Sequence, residues 1–258
     1  ANSYAGTWYV DDDAPNDPGP GDPNVSDPNE DGSAAHPFDA IQDGIDAAAD
    51  HDTVLVLDGT YTGVGNRDLD FWGKKITVRS QSGDPCKCVI DCQAAGRGFY
   101  FHRGEDPNSV VQEITIVNGE APSVPVPDGG AIFCEDSSPT ITGCAITGNH
   151  AAHDGGGIYL ENSSAQILSC TISGNGAGGY GGGIFGACTP KRTIVWGNGS
   201  DLGVGDEWYG DGGCGVSHCC DDLGPGLDGF GSCVIYCSLG PNIEDDPRFL
   251  DPMPWADA

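Results

Sequence analysis

Two glutamates at equivalent positions of a repeated phrase are the first residues that could do chemistry. The phrase reads GGAIF, GGGIY and GGGIF where it begins at Gly129, Gly155 and Gly181. Glu135 and Glu161 each lie three residues after the isoleucine of the phrase, one repeat apart. If successive repeats stack as neighbouring strands, the two carboxyl groups approach the separation of about 5 Å that retaining glycosidases use. However, stacking brings together any two equivalent residues of a solenoid, so this pairing alone does not predict catalysis.

A second acid–base pair, His153 and Asp154, ends the segment HAAHD that begins at His150. A histidine beside a carboxylate can serve as a general acid or base when it reaches the reacting proton. The alternative is a solvated turn, since glycines follow directly. No phosphate-binding loop, dinucleotide fingerprint or Gly-Xaa-Ser-Xaa-Gly motif occurs in a suitable context. We therefore favour a protein that is not an enzyme, with these two residues and the two glutamates as the catalytic candidates if it is one.

The segment DPNEDG, residues 27–32, matches the start of a calcium-binding loop. Asp27, Asn29 and Asp31 offer oxygen ligands at alternate positions, which suits Ca²⁺. The glutamate that closes an EF-hand is missing, and Asp39 is the nearest carboxylate downstream. The sequence thus predicts Ca²⁺ bound by these four residues. The alternative is an acidic loop in water.

An aromatic residue follows the isoleucine of each repeated phrase. Phe133, Tyr159 and Phe185 recur at a constant interval, and Tyr100 takes the same place in an earlier, longer repeat. Because neighbours in a strand point to opposite faces, isoleucines that face inward leave the aromatic side chains outward. Such rings, flanked by carboxylates, can hold sugar rings or form a protein interface. The alternative is that a loop or the N-terminal segment covers them.

The twelve cysteines favour an oxidising compartment, in which they form disulfides. Cys144 and Cys170 are one repeat apart, so in stacked strands they would lie within bonding range or simply pack together. The cysteines near the C-terminus, between Cys214 and Cys237, could instead bind zinc, although their spacing lacks the paired Cys-Xaa₂-Cys form. The disulfide candidates are Cys86, Cys88, Cys92, Cys144, Cys170, Cys214, Cys219, Cys220, Cys233 and Cys237.

The repeat period and the short apolar runs indicate how these residues are positioned. A period of roughly 20 to 50 residues is typical of a solenoid or propeller, and the interval between the repeated phrases falls in this range. The runs here are four to six residues long and end at Gly, Asn, Ser or Pro, which is typical of strands and turns. Asn149, Asn175 and Asn198 recur with the repeats, and we expect their amides to stack in an inward turn. The prediction is an all-β parallel coil.

One segment differs from the repeats and sets the predicted domain boundaries. Residues 36–50 place Phe38, Ile41 and Ile45 on one helical face. A solenoid needs a cap because an open coil exposes strand edges. We therefore predict an acidic N-terminal arm over residues 1–35 and a single β-helix domain over 36–258. This domain begins with a capping helix at 36–50 and ends with a cysteine-rich region at 199–258.

In its repeats and in the segments that flank them, the sequence resembles secreted bacterial right-handed parallel β-helix proteins of the pectin-lyase-like superfamily. The resemblance lies in WYVDDD, HPFDAIQDGIDAA, DTVLVLDGTY, the GGGI…CTISGN repeats and NIEDDPRFLDP, and it covers most of residues 8–252. It implies a right-handed β-helix. It leaves the function open, since this fold carries lyases, hydrolases, epimerases, adhesins and structural proteins.

The strong negative charge of the chain limits the classes of molecule that it can bind. The net charge is −29, with 39 acidic side chains against 10 Lys and Arg, so nucleic acid and anionic membranes are poor partners. No apolar run is long enough to span a bilayer. We expect a secreted or cell-surface protein. The favoured function is a calcium-stabilised structural or adhesive rod that associates with itself. The alternative is a protein that binds or degrades extracellular polysaccharide.

Overall fold

The computed structural model describes residues 5–12, 29–121 and 126–210, together with the backbone of 220–221. It contains one α-helix, α1 (Ile41–Ala47), and a short 3₁₀ helix (Pro85–Lys87). The strands are β1 (Thr7–Val10), β2 (Thr53–Val56), β3 (Gly59–Tyr61), β4 (Thr77–Ser80), β5 (Cys88–Asp91), β6 (Phe99–Phe101), β7 (Val110–Gln112), β8 (Thr115–Val117), β9 (Ile132–Glu135), β10 (Thr140–Thr142), β11 (Ala145–Thr147), β12 (His150–Ala151), β13 (Ile158–Glu161), β14 (Gln166–Leu168), β15 (Thr171–Ser173), β16 (Gly176–Ala177), β17 (Ile184–Phe185), β18 (Ile194–Trp196), β19 (Gly199–Ser200), β20 (Trp208–Tyr209) and β21 (Cys220–Asp221).

These strands stack into four parallel sheets along one coil. Their orders are β1-β2-β4-β7-β10-β14, β3-β5-β8-β11-β15-β18-β21, β12-β16-β19 and β6-β9-β13-β17-β20. Equivalent residues pair in register, so Ile132, Ile158 and Ile184 lie directly above one another and are fully buried. The predicted all-β, right-handed parallel β-helix is confirmed. We call the last of these sheets the outer aromatic sheet.

Glycines of the repeated phrase permit both the turn and the close stacking of coils. Gly155 opens its phrase with a φ of +68°, a left-handed conformation that glycine adopts without steric cost. Gly157 has no room for a side chain, because an added Cβ would lie 2.5 Å from the carbonyl oxygen of Gly183 in the next coil. Gly156 is constrained in the same way, because an added Cβ would lie 2.1 Å from the carbonyl oxygen of Gly176. The three glycines therefore follow from one left-handed turn and two close backbone approaches.

The recurring asparagines form the predicted interior row, which we call the amide row. Asn149, Asn175 and Asn198 are each at most 8% exposed. The side-chain oxygen of Asn175 accepts from the backbone N–H and the side-chain amide of Asn149, at 3.1 and 2.9 Å. Asn198 repeats both bonds to Asn175, at 3.0 and 2.9 Å. The row ends on Glu207, whose carboxylate accepts from the backbone N–H of Asn198.

The N-terminal end of the coil is closed by its own chain. Strand β1 pairs with β2, so part of the predicted arm belongs to the coil itself. The outer edge of β1 is covered because Tyr9 donates to Gly32 and Phe38 donates back to Tyr9, both at 2.9 Å. The helix is shorter than predicted and begins at Ile41, so Phe38 lies before it and not on its face. No helix in the described ranges is long and apolar enough to span a bilayer.

Seven cysteines are described, and all seven are free thiols. The disulfides predicted for Cys86, Cys88, Cys92, Cys144 and Cys170 are thus not formed in the structure. In-register stacking gives adjacent residues parallel side chains at the strand spacing of about 4.8 Å, whereas a disulfide needs Cβ atoms about 3.8 Å apart. Burial also raises the pKa of Cys88 and Cys92 to about 12, which disfavours the reactive thiolate.

The remaining disulfide candidates lie in the C-terminal region. Cys214, Cys219, Cys233 and Cys237 are outside the described residues, and only the backbone of Cys220 is described, in strand β21. Pairing among these five cysteines stays a prediction.

Candidate functional site

The outer aromatic sheet carries the predicted row of rings, which we call the aromatic row. Phe133 stacks on Tyr159 with ring centroids 5.2 Å apart, and Tyr159 stacks on Phe185 at 5.0 Å. Tyr100 lies 5.2 Å from Phe133 at the N-terminal end, and Tyr209 extends the row by one ring, 5.6 Å beyond Phe185. The predicted four residues are therefore in one row, and the row is longer than the sequence indicated.

The faces of the rings inside the row are covered by the neighbouring rings. The planes of Phe133, Tyr159 and Phe185 are within 7° of parallel, so each ring turns its faces toward its neighbours. Phe133 is only 2% exposed, and the guanidinium of Arg97 lies 5.3 Å from its centroid. Phe133 was predicted as an exposed binding residue, and this expectation is wrong because the two neighbouring rings and Arg97 cover it. Tyr159 and Phe185 remain partly exposed at their edges.

A cleft of about 620 Å³ lies at the N-terminal end of the row. Tyr100 is shared between the row and this cleft, and His102 stacks on Tyr100 with centroids 4.0 Å apart. Trp72 is 50% exposed, and the guanidinium of Arg103 lies 4.5 Å from its ring centroid. The remaining lining residues are Ala40, Gln42, Asp43, Val64, Gly65, Arg67, Asp68 and Asp70. Aromatic and hydrogen-bonding side chains thus converge on one concavity.

Asp70 organises the polar side of the cleft. Its Oδ2 accepts from Nε of Arg103 at 3.0 Å and lies 3.9 Å from Nε2 of His102. Its Oδ1 accepts the backbone N–H of Trp72 at 2.7 Å, which fixes the turn that carries the indole. Nδ1 of His102 is buried and has no hydrogen-bond partner within the described residues. The pKa of Asp43 is raised above its ordinary value, mainly by burial and to a lesser extent by the negative charge of Asp46.

A second cluster lies in the turns that precede strands β9 and β13. Nδ1 of His153 lies 2.9 Å from Oδ1 of Asp128 and 3.1 Å from Oδ2 of Asp154. Asp154 also accepts the backbone N–H of Tyr180 at 2.7 Å. The hydrogen bond with Asp128 raises the pKa of His153, and burial raises the pKa of Asp154. We call Asp128, His153 and Asp154 the Asp–His cluster.

The predicted acid–base residues divide between the strands and the turns. Glu135 and Glu161 are paired in register on β9 and β13, and the hydroxyl of Tyr159 donates to Oε2 of Glu161 at 3.2 Å. His153 and Asp154 lie at the other end of the phrase, before the glycines. A catalytic role for any of the four stays a prediction.

The predicted calcium ligands are described only in part. Asp27 lies outside the described residues. Asp31 accepts the backbone N–H of Ser33 at 2.9 Å, and the backbone N–H of Asp39 donates to Glu30 at 3.3 Å. Asn29, Asp31 and Asp39 therefore lie in one folded segment, and Ca²⁺ binding there stays a prediction.

Sequence reasoning missed several residues of these two sites. Asp128 was detectable, since Asp-Gly-Gly precedes both Ala131 and Gly157 at equivalent positions of two repeats. Tyr209 follows Phe185 after an interval shorter than one repeat, so an irregular last repeat hid it. Trp72 and Asp70 carry no repeat signal, because the cleft is built from the coils next to the helix.

Comparison with known proteins identifies the architecture. The family model described as "Right handed beta helix region" matches residues 54–220. A search of curated proteins found no match. Among solved structures, a rhamnogalacturonan lyase matches with a TM-score of 0.41 and 16% identity over 89% of this chain. The match covers 66% of that structure, so this chain spans about two thirds of its length.

Proposed function

Because the chain belongs to the right-handed β-helix family and has an aromatic cleft at one end of its outer row, we propose that it binds an extracellular polysaccharide. The cleft around Trp72, Tyr100 and His102 carries the proposal. It combines an exposed indole with side chains that donate and accept hydrogen bonds, the combination that polar ligands with apolar faces require. Sugar rings are ligands of this kind.

Charge favours a neutral polysaccharide. The cleft contains two cationic residues, Arg67 and Arg103, against three aspartates, Asp43, Asp68 and Asp70. The whole chain carries a net charge of −29, which repels a polyanion at long range. Hydroxyl groups, by contrast, can bond to Asp70 and Arg103 without adding charge.

Calorimetric titration with neutral and uronic-acid polysaccharides tests this proposal. We expect the native protein to bind a neutral glycan. Trp72→Ala should weaken that binding at least tenfold, or about 1.4 kcal/mol, because a central aromatic contact is lost. Trp72→Phe should retain part of the affinity. Leu202→Ala is the matched control, because Leu202 is 55% exposed and does not line the cleft.

Two results would remove the proposal. One is the absence of binding to every neutral and anionic glycan tested. The other is equal loss of affinity in Trp72→Ala and Leu202→Ala, which would locate binding elsewhere. Thermal unfolding of each variant separates loss of a contact from loss of the fold.

A structural rod is the second candidate, and the aromatic row favours it. Rings whose faces contact each other along β9, β13 and β17 stiffen the coil. We propose with it the extracellular location and the calcium loop at Asp27, Asn29, Asp31 and Asp39. Self-association by strand addition at β1 has no support, since residues 31–38 cover that edge. Light scattering with calcium and with chelator tests assembly, and monomers in both would exclude it.

A further inference from the structure

The Asp–His cluster joins two successive coils through three side chains. Asp128 lies in one coil, and His153 and Asp154 lie in the next, at the equivalent turn. The carboxylates are 14% and 8% exposed, whereas the imidazole is 61% exposed. Within the described residues, this is the one group of three His, Cys, Asp or Glu side chains whose ligand atoms all lie within 4.8 Å of one another.

Two carboxylates converge on one imidazole nitrogen in the cluster. Nδ1 of a histidine carries at most one proton, yet two carboxylate oxygens lie 2.9 and 3.1 Å from it. The ligand oxygens of Asp128 and Asp154 lie within 4.8 Å of each other, a separation at which like charges repel. Arg97 is the nearby cation, but its Nε donates to the main-chain oxygen of Asp128 and not to the carboxylate. Asp128 also accepts the backbone N–H of Asp154 at 3.0 Å, and Asp154 accepts that of Tyr180 at 2.7 Å. On the side that faces Nδ1, the two carboxylates share one imidazole nitrogen.

The ligand atoms are close enough for one small divalent metal to reach all three. Zn–N and Zn–O bonds of about 2.0–2.2 Å at tetrahedral angles separate neighbouring ligand atoms by about 3.4 Å. The two N···O separations, 2.9 and 3.1 Å, are shorter than this by about half an ångström or less, so a small outward shift of the side chains would admit the metal. A nitrogen ligand with two carboxylates suits Zn²⁺ or Co²⁺ better than Ca²⁺, which prefers oxygen alone.

We propose that Asp128, His153 and Asp154 bind one divalent transition metal of the zinc class. The protein supplies three ligands, and the exposed side of His153 leaves the fourth position to water. The metal connects adjacent coils beside the aromatic row, so binding stabilises the folded rod. This proposal does not depend on the polysaccharide proposal, since the cleft and the cluster share no residue.

Cobalt titration of chelator-treated, full-length protein tests the site. Co²⁺ held by nitrogen and oxygen gives a weak visible spectrum without the strong thiolate charge-transfer band, which separates this site from the cysteines. We expect one equivalent to bind with that spectrum and to raise the Tm. His153→Gln and Asp128→Asn should abolish both effects.

His150→Gln is the matched control, because His150 is also exposed and lies beside a carboxylate, 3.6 Å from Glu120. It should bind Co²⁺ like the native protein. A spectrum that persists in His153→Gln, or that is lost equally in His150→Gln, would overturn the assignment. So would the absence of any nitrogen–oxygen cobalt spectrum in the native protein, or a spectrum dominated by thiolate.

Discussion

Two rows of side chains, the amide row and the aromatic row, repeat along the same coils. They differ in how much stability is lost when one member is removed. Members of the amide row, such as Asn175, are buried and bonded to the backbone and to each other. Members of the aromatic row, such as Tyr159, are half-buried and contact each other through ring faces. A buried polar row must be complete, since each missing partner leaves an unsatisfied group. A partly exposed outer row, by contrast, can end or vary without leaving a buried polar group unpaired.

Asn175→Ala is the change that should show this difference most strongly. The substitution removes the acceptor of two groups of Asn149 and the donor to the carbonyl of Ile146. We expect unfolding to become easier by about 3–5 kcal/mol, since several buried groups lose their partners together. Chemical denaturation measures this effect, with Asn108→Ala as the exposed control, expected to change stability by about 0.5 kcal/mol or less. Similar values for both variants would contradict the essential role of the amide row.

Tyr159→Ala should have a smaller effect because its ring contacts are partly exposed. The change removes the stacks on Phe133 and Phe185, which contribute about 0.5–1.5 kcal/mol each. We expect a loss of about 1–3 kcal/mol in the free energy of unfolding, the sum of the two stacks. Tyr159→Phe keeps both stacks and loses only the hydrogen bond to Glu161, so it should remain within about 0.5 kcal/mol of the native protein. A loss as large as that of Asn175→Ala would make the aromatic row an equal part of the core.

The rows also show how far the sequence predicts the structure. The constant repeat period predicted the inward isoleucines, the amide row and the outer rings, because in-register stacking converts equal sequence spacing into direct contact. The period could not reveal which rings are covered. Phe133 is buried by Arg97, and nothing in the repeat predicts that Arg97 lies above it.

The cleft was missed for a related reason. Trp72, Asp70 and Arg103 come from two irregular coils beside the helix, and their meeting depends on the turn at Trp72, whose φ is +57°. Such a contact arises from tertiary packing and leaves no periodic trace. Similarly, the spacing of Cys144 and Cys170 predicted adjacency but not bonding, since adjacency in a stacked coil holds the two side chains parallel.

Tyr61 extends the comparison to a titratable group inside the coil. Its hydroxyl lies 3.1 Å from the carbonyl oxygens of Val10 and Leu57, and burial raises its pKa far above the ordinary value of about 10. Because the folded state keeps the proton, stability from this group is complete below about pH 10. It is then lost as the pH rises toward the folded pKa, by at most about 1.4 kcal/mol per pH unit. Urea unfolding on both sides of pH 10 should show this fall. Tyr61→Phe should lower the free energy of unfolding by about 1 kcal/mol at neutral pH. Above about pH 10 the stability of this variant should decrease less steeply with pH than that of the native protein. Equal slopes of stability against pH in the two proteins would show that the interior hydroxyl ionises as readily as one in water.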